Sequence, residues 1–420
     1  MDGQVPSERR SAIDRDRTAA RRRTVEGANT HGGAANAQAE AADYAGGSAS
    51  PSQDAVAGRA PVTADGVDGR SAGTSKAGRA YAALDLGTNN CRLLVARPSR
   101  RGFRVIDAFS RIIRLGEGVA TSGRLSDAAM QRTVEALRIC AGKMERHRVE
   151  RAGLIATEAC RLAANAEEFL DRVQHETGLN ITIVSRETEA KLAVSGCASL
   201  IDANCDCALV FDIGGGSSEL IWLDLARRKH SWRRSMVERL EVQSCIAAWT
   251  SLPVGVVTLA ERFGGRFVDA DMFQTMVAHV AGMLQPFEAE YGLRKRLACR
   301  RTHLLGTSGT VTTLAGVHLG LPRYERSKVD GCWLDIGQVR AVTAGLLAAS
   351  YEERVAEPCV GRERADLVLA GCAILEAMLR MWPCDRLRVA DRGLREGILA
   401  TLMTEDGVYR TGGRAGYWRR

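Results

Sequence analysis

The feature that most constrains this chain is a pattern that occurs twice. Ala83-Leu84-Asp85-Leu86-Gly87-Thr88-Asn89-Asn90-Cys91-Arg92-Leu93-Leu94 and Val210-Phe211-Asp212-Ile213-Gly214-Gly215-Gly216-Ser217-Ser218-Glu219-Leu220-Ile221 share one design. Each reads as apolar strand, Asp, apolar residue, Gly, small polar tip and second apolar strand, the signature of a hairpin with a glycine-rich turn. Its recurrence, once in each half, points to a duplicated fold whose copies face each other across a cleft. Glycines let such a turn tighten until consecutive N–H groups point into one concavity, which binds an anion such as phosphate. Thr88, Asn89, Ser217 and Ser218 add donors at the tips, and Gly87, Asn90, Gly214, Gly215 and Gly216 complete the two expected substrate loops. An ionised Asp cannot donate to a phosphate. Asp85 and Asp212 are therefore assigned to Mg²⁺ or its waters, where they offset substrate charge.

The surrounding pattern supports a mixed α/β sheet in each half. Tyr81–Leu84 and Arg92–Ala96 read as strands, and Ser126–His147 places Met130, Val134, Leu137, Ala141 and Met144 on one helical face. There follow a strand at Gly153–Thr157, a helix capped by Asn165 and closed near Gly178, a strand at Ile181–Ser185 and a helix over Glu187–Leu200. After the polar break Asp202–Asp206 a second series begins, with strands at Ala208–Phe211 and Glu219–Leu223. Helices are expected near Asp271–Tyr291, Thr310–Leu319, Ile336–Ala349 and Glu363–Arg380. The expected divisions are a disordered tail over 1–78, a first domain over 79–204, a second over 205–403 and a C-terminal tail over 404–420.

Composition narrows the class. Residues 1–78 hold ten Lys/Arg and ten Asp/Glu, so the formal charge of +8 belongs to the remainder. That bias favours anionic ligands near a cleft without implying nucleic acid. The Arg21-Arg22-Arg23 run reads as part of a solvated tail. The 12 cysteines are scattered without any CxxC pair, which argues for reduced thiols in a cytoplasmic protein. No apolar run approaches the ~20 residues of a membrane span.

Further segments carry candidate chemistry. Arg186-Glu187-Thr188-Glu189-Ala190-Lys191 follows a strand and opens a helix, which puts a carboxylate at the rim of the sheet, where a helix N-terminus keeps it ionised. Glu189 and Glu187 are both candidates on position alone. Arg161 ends a strand segment and offers a planar fork suited to phosphate oxygens. Lys191 is either a phosphate contact or a solvent-facing helix residue. Gly306-Thr307-Ser308-Gly309-Thr310 ends the strand His303–Leu305 and opens a helix, a ready anion site. Arg395, after the strand Leu387–Ala390, either touches substrate or pairs with Glu396 or Asp391.

DLGTNN, ATEACRLAAN, RETEAKLA, DIGGGSSEL, GTSGTV and GLREGIL occur in the order seen in the exopolyphosphatase / guanosine pentaphosphate phosphatase family, and residues 80–403 resemble it. The resemblance implies a two-domain actin-like, RNase H-like fold with its active site in the interdomain cleft. It further implies Mg²⁺-dependent hydrolysis of phosphate from the end of inorganic polyphosphate, with guanosine pentaphosphate as the alternative substrate and a non-catalytic alarmone or polyphosphate sensor as the third reading. It places catalysis on Glu189, which needs chiefly to position water in a loose phosphoryl transition state. A homodimer is implied by analogy with relatives. Thr88 and Asn90 stand where the family usually has serines. The end at residue 420 leaves no room for the C-terminal helical domains of longer members, so processive gripping of long polymers is not expected. A strongly basic groove would favour polyphosphate, and a base-sized pocket near Gly306–Thr310 the nucleotide.

Overall fold

A computed structural model of the protein describes residues 78–100, 102–227 and 240–409. The expected N-terminal tail, its arginine run and residues 410–420 lie outside these.

The first sheet contains β1 (Ala80–Leu86), β2 (Asn90–Ser99), β3 (Gly102–Ile112), β4 (Val149–Ala156) and β5 (Thr182–Ile183), in the order β3-β2-β1-β4-β5. β1, β2 and β3 form an antiparallel meander, and β4 and β5 add in parallel on the other side of β1. The second sheet repeats the plan with β6 (Cys207–Ile213), β7 (Ser218–Asp224), β8 (Ile246–Leu252), β9 (Thr302–Thr307), β10 (Trp333–Asp335) and β11 (Arg386–Ala390). Its order is β10-β11-β9-β6-β7-β8. β6, β7 and β8 are the antiparallel meander, β9 and β11 add in parallel, and β10 closes the edge antiparallel to β11. This doubled arrangement is the duplication expected from the paired hairpins and the actin-like fold that the resemblance implied.

Strand alternation gives each central strand two buried faces. In β1, Ala80, Ala82, Leu84 and Leu86 pack with the helix Asp127–Arg146, while Tyr81 and Ala83 pack with Leu394, Ile398, Leu399 and Met403. In β6, Leu209 and Phe211 enter the main core of the second half, and Ala208 and Val210 meet Ala190, Val194 and Cys197. Two helices, Arg186–Cys197 and Leu394–Glu405, therefore lie between the sheets and pack on one another. The first carries the chain from one sheet to the other, and the second returns it to β1. Gly196 and Gly393 make the crossing possible, because a Cβ on Gly196 would lie 1.8 Å from the Gly393 carbonyl oxygen.

Local signals explain the helix limits. Ser126 Oγ accepts from Ala129 N at 3.3 Å, and Gly178 ends the helix Ala166–Thr177 in the left-handed region at φ 72°. The expected Asn165 cap is not made. Its amide reaches Leu125 N and O across the fold at 2.8 and 3.0 Å instead. The strand expected over Ile181–Ser185 shortens to β5 because Ser185 becomes a helix cap, accepting from Thr188 N at 3.2 Å. The helix expected from Glu363 begins at Val368. Residues 404–409, expected to be tail, finish the last helix and dock. Tyr81 Oη donates to Asp406 at 2.8 Å, and Tyr409 Oη to Gly102 O at 2.5 Å. Among the described residues no helix is long and apolar enough to cross a membrane.

Candidate active site

The two hairpins close with the same bond: Gly87 N donates to Asn90 O and Gly214 N to Ser217 O, each at 2.9 Å. Their tips are also braced alike. Thr88 O accepts from Gly116 N and Asn89 O from Ile113 N and Arg114 N, while Gly214 O accepts from Val256 N and Gly215 O from Val257 N. With the carbonyls tied back, the amides of Thr88, Asn89, Gly215 and Gly216 have no hydrogen-bond acceptor among the described residues. Unbonded N–H groups at two facing glycine-rich tips are what an anion nest requires. The tips touch across the cleft: a Cβ on Gly215 would lie 2.9 Å from Thr88 Cβ, and one on Gly216 would lie 2.8 Å from Thr88 Oγ1. Thr88 to Asn90 and Gly214 to Ser217 thus line one space, together with Asp85, Asp212, Thr307, Ser308 and Arg395.

The floor of this space is acidic. Hairpin register pairs Asp85 with Arg92 and Asp212 with Glu219. Burial, then the charge of Asp85, pushes Asp212 up to about 6 despite a hydrogen bond from Ser308. Ser308 holds φ +81°, rare outside glycine, at the turn from β9 into the helix Gly309–His318. Burial and Asp212 push Glu219 up to about 7, although Ser217 Oγ and Ser251 Oγ donate to it at 2.8 and 2.9 Å. Asp85 is raised by burial, against the opposing charges of Arg92 and Arg395.

Glu189 lines the same space and is also raised well above the usual carboxylate value, by burial and then by Glu219. The expected influence of its helix N-terminus is outweighed, because desolvation and facing acids act more strongly on a side chain this enclosed. Arg161 Nη2 donates to Glu189 at 2.8 Å, its Nη1 to Val184 O at 2.8 Å and its Nε to Glu158 at 2.8 Å. Glu158, only 1% exposed, also receives Arg186.

Several candidates stand elsewhere than expected. Arg161 does not line the cleft, since its fork is spent behind Glu189. Lys191 pairs with Glu187 at 2.7 Å on the exposed helix face, which removes both from the site. Ser218 is fully buried and donates to Val254 O at 2.7 Å, because strand alternation turns it away from the cleft. Gly306 lies inside β9, where a Cβ would meet the Phe211 ring at 2.6 Å, so its role is packing. Thr307 and Ser308 reach the cleft, and Gly309 lines a neighbouring compartment. Arg395 lines the cleft with no ion pair among the described residues, since Glu396 and Asp391 are taken by Arg326. Sequence reasoning missed Glu158 and Glu219. Glu219 sits one strand-pair position behind the turn, directly opposite Asp212, and that register was its signal.

The donor set suits a hard cation. Asp85, Asp212, Glu189 and Glu219 are all raised, first by burial, and the last three also by a neighbouring acid; Mg²⁺ would relieve that cost, and all four offer oxygen ligands. Among the described residues no three such side chains converge as a preformed cage; Mg²⁺ is ordinarily held by one or two carboxylates, waters and substrate phosphates.

A second compartment shares Asn89, Asn90, Arg92, Gly214, Gly215 and Ser308 with the cleft. Its far wall is apolar at Ile213, Val256, Leu367 and Val368 and polar at Thr310, Thr313 and Arg364.

Comparison with known proteins identifies relatives of this chain. A guanosine-5′-triphosphate,3′-diphosphate pyrophosphatase of Aeromonas hydrophila is 29% identical over 324 residues, covering 77% of this chain and 59% of that protein. The chain thus spans about three fifths of the length of the curated relatives it matches. A crystal structure of the Aquifex aeolicus Ppx/GppA family member is 29% identical with a TM-score of 0.61, covering 78% of this chain and 98% of that one. An exopolyphosphatase from Cytophaga hutchinsonii shares the fold, with a TM-score of 0.67 at 23% identity over 80% of this chain and all of its own. The sequence pattern of the Ppx/GppA phosphatase family matches residues 94–406, a span that takes in the second hairpin, Glu158, Glu189 and the Thr307–Ser308 turn, and the chain belongs to that family.

Proposed function

We propose that this protein hydrolyses the terminal 5′-phosphate of guanosine pentaphosphate, giving guanosine tetraphosphate and orthophosphate. The observation that carries this reading is the second compartment. It opens beside Ser308 and Thr310 and presents apolar surface with a few polar groups, as nucleoside sites do. Inorganic polyphosphate would use the cleft and leave this compartment idle. The curated relatives named for the guanosine substrate support the same reading.

In this mechanism the free amides of the two tips bind the phosphate chain, and Arg92 and Arg395 meet its charge. Mg²⁺ held by Asp85 and Asp212 would supply electrostatic stabilisation of the phosphoryl oxygens. Glu189 orients the attacking water and takes its proton, as the bond between the terminal phosphorus and its bridging oxygen breaks. Its raised pKa suits that task better than an ordinary carboxylate. Arg161 and Glu158 fix its direction.

Phosphate release from guanosine pentaphosphate and from inorganic polyphosphate, side by side with Mg²⁺, tests the reading. The nucleotide is expected to be preferred in kcat/KM, and Glu189→Gln to lower kcat by about 10²–10⁴-fold. Preference for polyphosphate would overturn the substrate assignment. One observation favours that outcome: Arg92 and Arg395, unpaired among the described residues, extend positive charge along the cleft.

A further inference from the structure

A segment outside both compartments makes contacts to both of their walls. Residues 113–118 follow β3 and brace the first tip through the Thr88 and Asn89 carbonyls. On its outer side the same segment reaches the second half of the molecule. Arg114 makes a bidentate pair with Asp366, Nη1 to Oδ2 at 3.0 Å and Nη2 to Oδ1 at 3.2 Å, and approaches Glu363 O at 3.5 Å. Gly118 N donates to Glu261 at 2.8 Å. Glu363 and Asp366 flank Arg364, and Leu367 follows, so Arg114 holds the far wall of the second compartment against the hairpin forming its near wall.

Three features mark this as a built contact. Arg114 adopts φ +47°, an uncommon conformation for a non-glycine residue. Arg132 secures the segment from behind, donating to Ile113 O at 3.1 Å and to Glu117 at 3.3 Å. The backbone on the other side is wedged as well, since a Cβ on Gly265 would lie 1.8 Å from Asp366 O. A fork-to-carboxylate pair between two braced segments fixes distance and angle together.

We infer that Arg114 is a positioning residue that sets the width of the nucleoside compartment and thereby substrate choice; this rests on the nucleotide reading above. Arg114 touches no phosphate in this scheme. Its loss is expected to weaken ligands that span both walls and to spare those that occupy the cleft alone.

The experiment compares the wild type with Arg114→Gln, Asp366→Arg and the charge-swapped pair Arg114→Glu/Asp366→Arg. Steady-state kinetics are read on guanosine pentaphosphate and on a short inorganic polyphosphate. Hydrogen exchange is read on the unliganded proteins over residues 88–118 and 361–368. Arg114→Gln is expected to raise KM for the nucleotide about tenfold, change kcat by less than about twofold, and leave KM for polyphosphate within about twofold. Exchange in both segments should quicken, and the swapped pair should recover most of the nucleotide KM. Equal KM changes on both substrates, or a swapped pair no better than the singles, overturns the inference. Should the wild type fail to turn over the nucleotide, the substrate reading falls, and exchange alone judges the contact: unchanged exchange in Arg114→Gln refutes it, and quickened exchange with recovery in the swapped pair sustains it.

Discussion

Replacing Gly196 by alanine tests the central packing of the molecule through the sign of its effect. In the interior of a helix, Gly→Ala ordinarily stabilises by about 1 kcal/mol. Gly142 and Gly282 sit in helices with nothing within 4 Å of an added Cβ, so Gly142→Ala and Gly282→Ala should each show that gain. At Gly196 the added carbon would lie 1.8 Å from the Gly393 oxygen, 2.6 Å from its carbonyl carbon and 2.9 Å from its Cα. All three are backbone atoms, so no rotamer change relieves the clash. The two helices must separate by more than about 1 Å, since real Cβ atoms essentially never approach within 3.0 Å. Overpacking of this kind costs about 1–3 kcal/mol, which cancels or outweighs the helical gain and should leave Gly196→Ala about 0–2 kcal/mol less stable. Gly397→Ala should behave likewise, its Cβ falling 2.1 Å from Leu192 O. Urea unfolding midpoints, compared at equal slope, give the four values. The displaced Gly393 precedes Leu394 and Arg395 on the cleft wall, so turnover should fall with stability. Stabilisation of Gly196→Ala by as much as Gly142→Ala would refute the interhelical contact.

Other outcomes follow from single side chains. Arg161→Lys keeps the charge but cannot reach Glu158, Glu189 and Val184 O together, so kcat should drop about 10-fold or more with KM changed less than about threefold; an unchanged kcat would free Glu189 of this support. Glu219→Gln should raise the Mg²⁺ concentration needed for half-maximal phosphate release several-fold, and an unaltered Mg²⁺ titration would remove Glu219 from the cation's surroundings. His303 is fully buried, its Nδ1 on Leu304 O at 3.0 Å and its Nε2 accepting from Asp202 N at 3.2 Å, and burial pushes it down to about 4. The folded pKa lies below the unfolded ~6.5, so the neutral ring's contribution is full above that value and is lost as pH falls from about 6.5 to 4, by about 3 kcal/mol. Urea midpoints of wild type and His303→Gln should therefore converge across that window, and parallel curves would show that His303 titrates normally.

The sequence disclosed what depends on short-range pattern. The duplicated hairpins, the Ser126-capped helix and the glycine stops were readable because turn chemistry and helical period act within a few residues. Ser218, Gly306 and Lys191 were misplaced because their fates depend on which way a strand or helix face turns. Ser218 and Glu219 are neighbours with opposite destinations, one hidden against Val254 and one lining the cleft. The closing bond of the turn decides between them. The return of the last helix to β1 was invisible for a different reason: nothing local in Leu394–Glu405 says which of two sheets will cover its apolar side.

The same register also explains why one copy of the hairpin would not suffice. Counting outward from Gly87–Asn90 pairs Asp85 with Arg92, and the equivalent count from Gly214–Ser217 pairs Asp212 with Glu219. Identical backbones thus present opposite charges at matching positions. The first copy sets a guanidinium beside its aspartate, which tempers the rise in Asp85 and offers a cation to phosphate. The second sets a carboxylate beside its aspartate, so that Glu219 is raised by burial and then by Asp212, and negative charge gathers where a metal ion would relieve it. A phosphate chain with its bound cation needs both surroundings within a few ångströms. Contact between Thr88 and Gly215–Gly216 brings them together, and the helix crossing at Gly196 and Gly393 holds the sheets close enough for that contact to form.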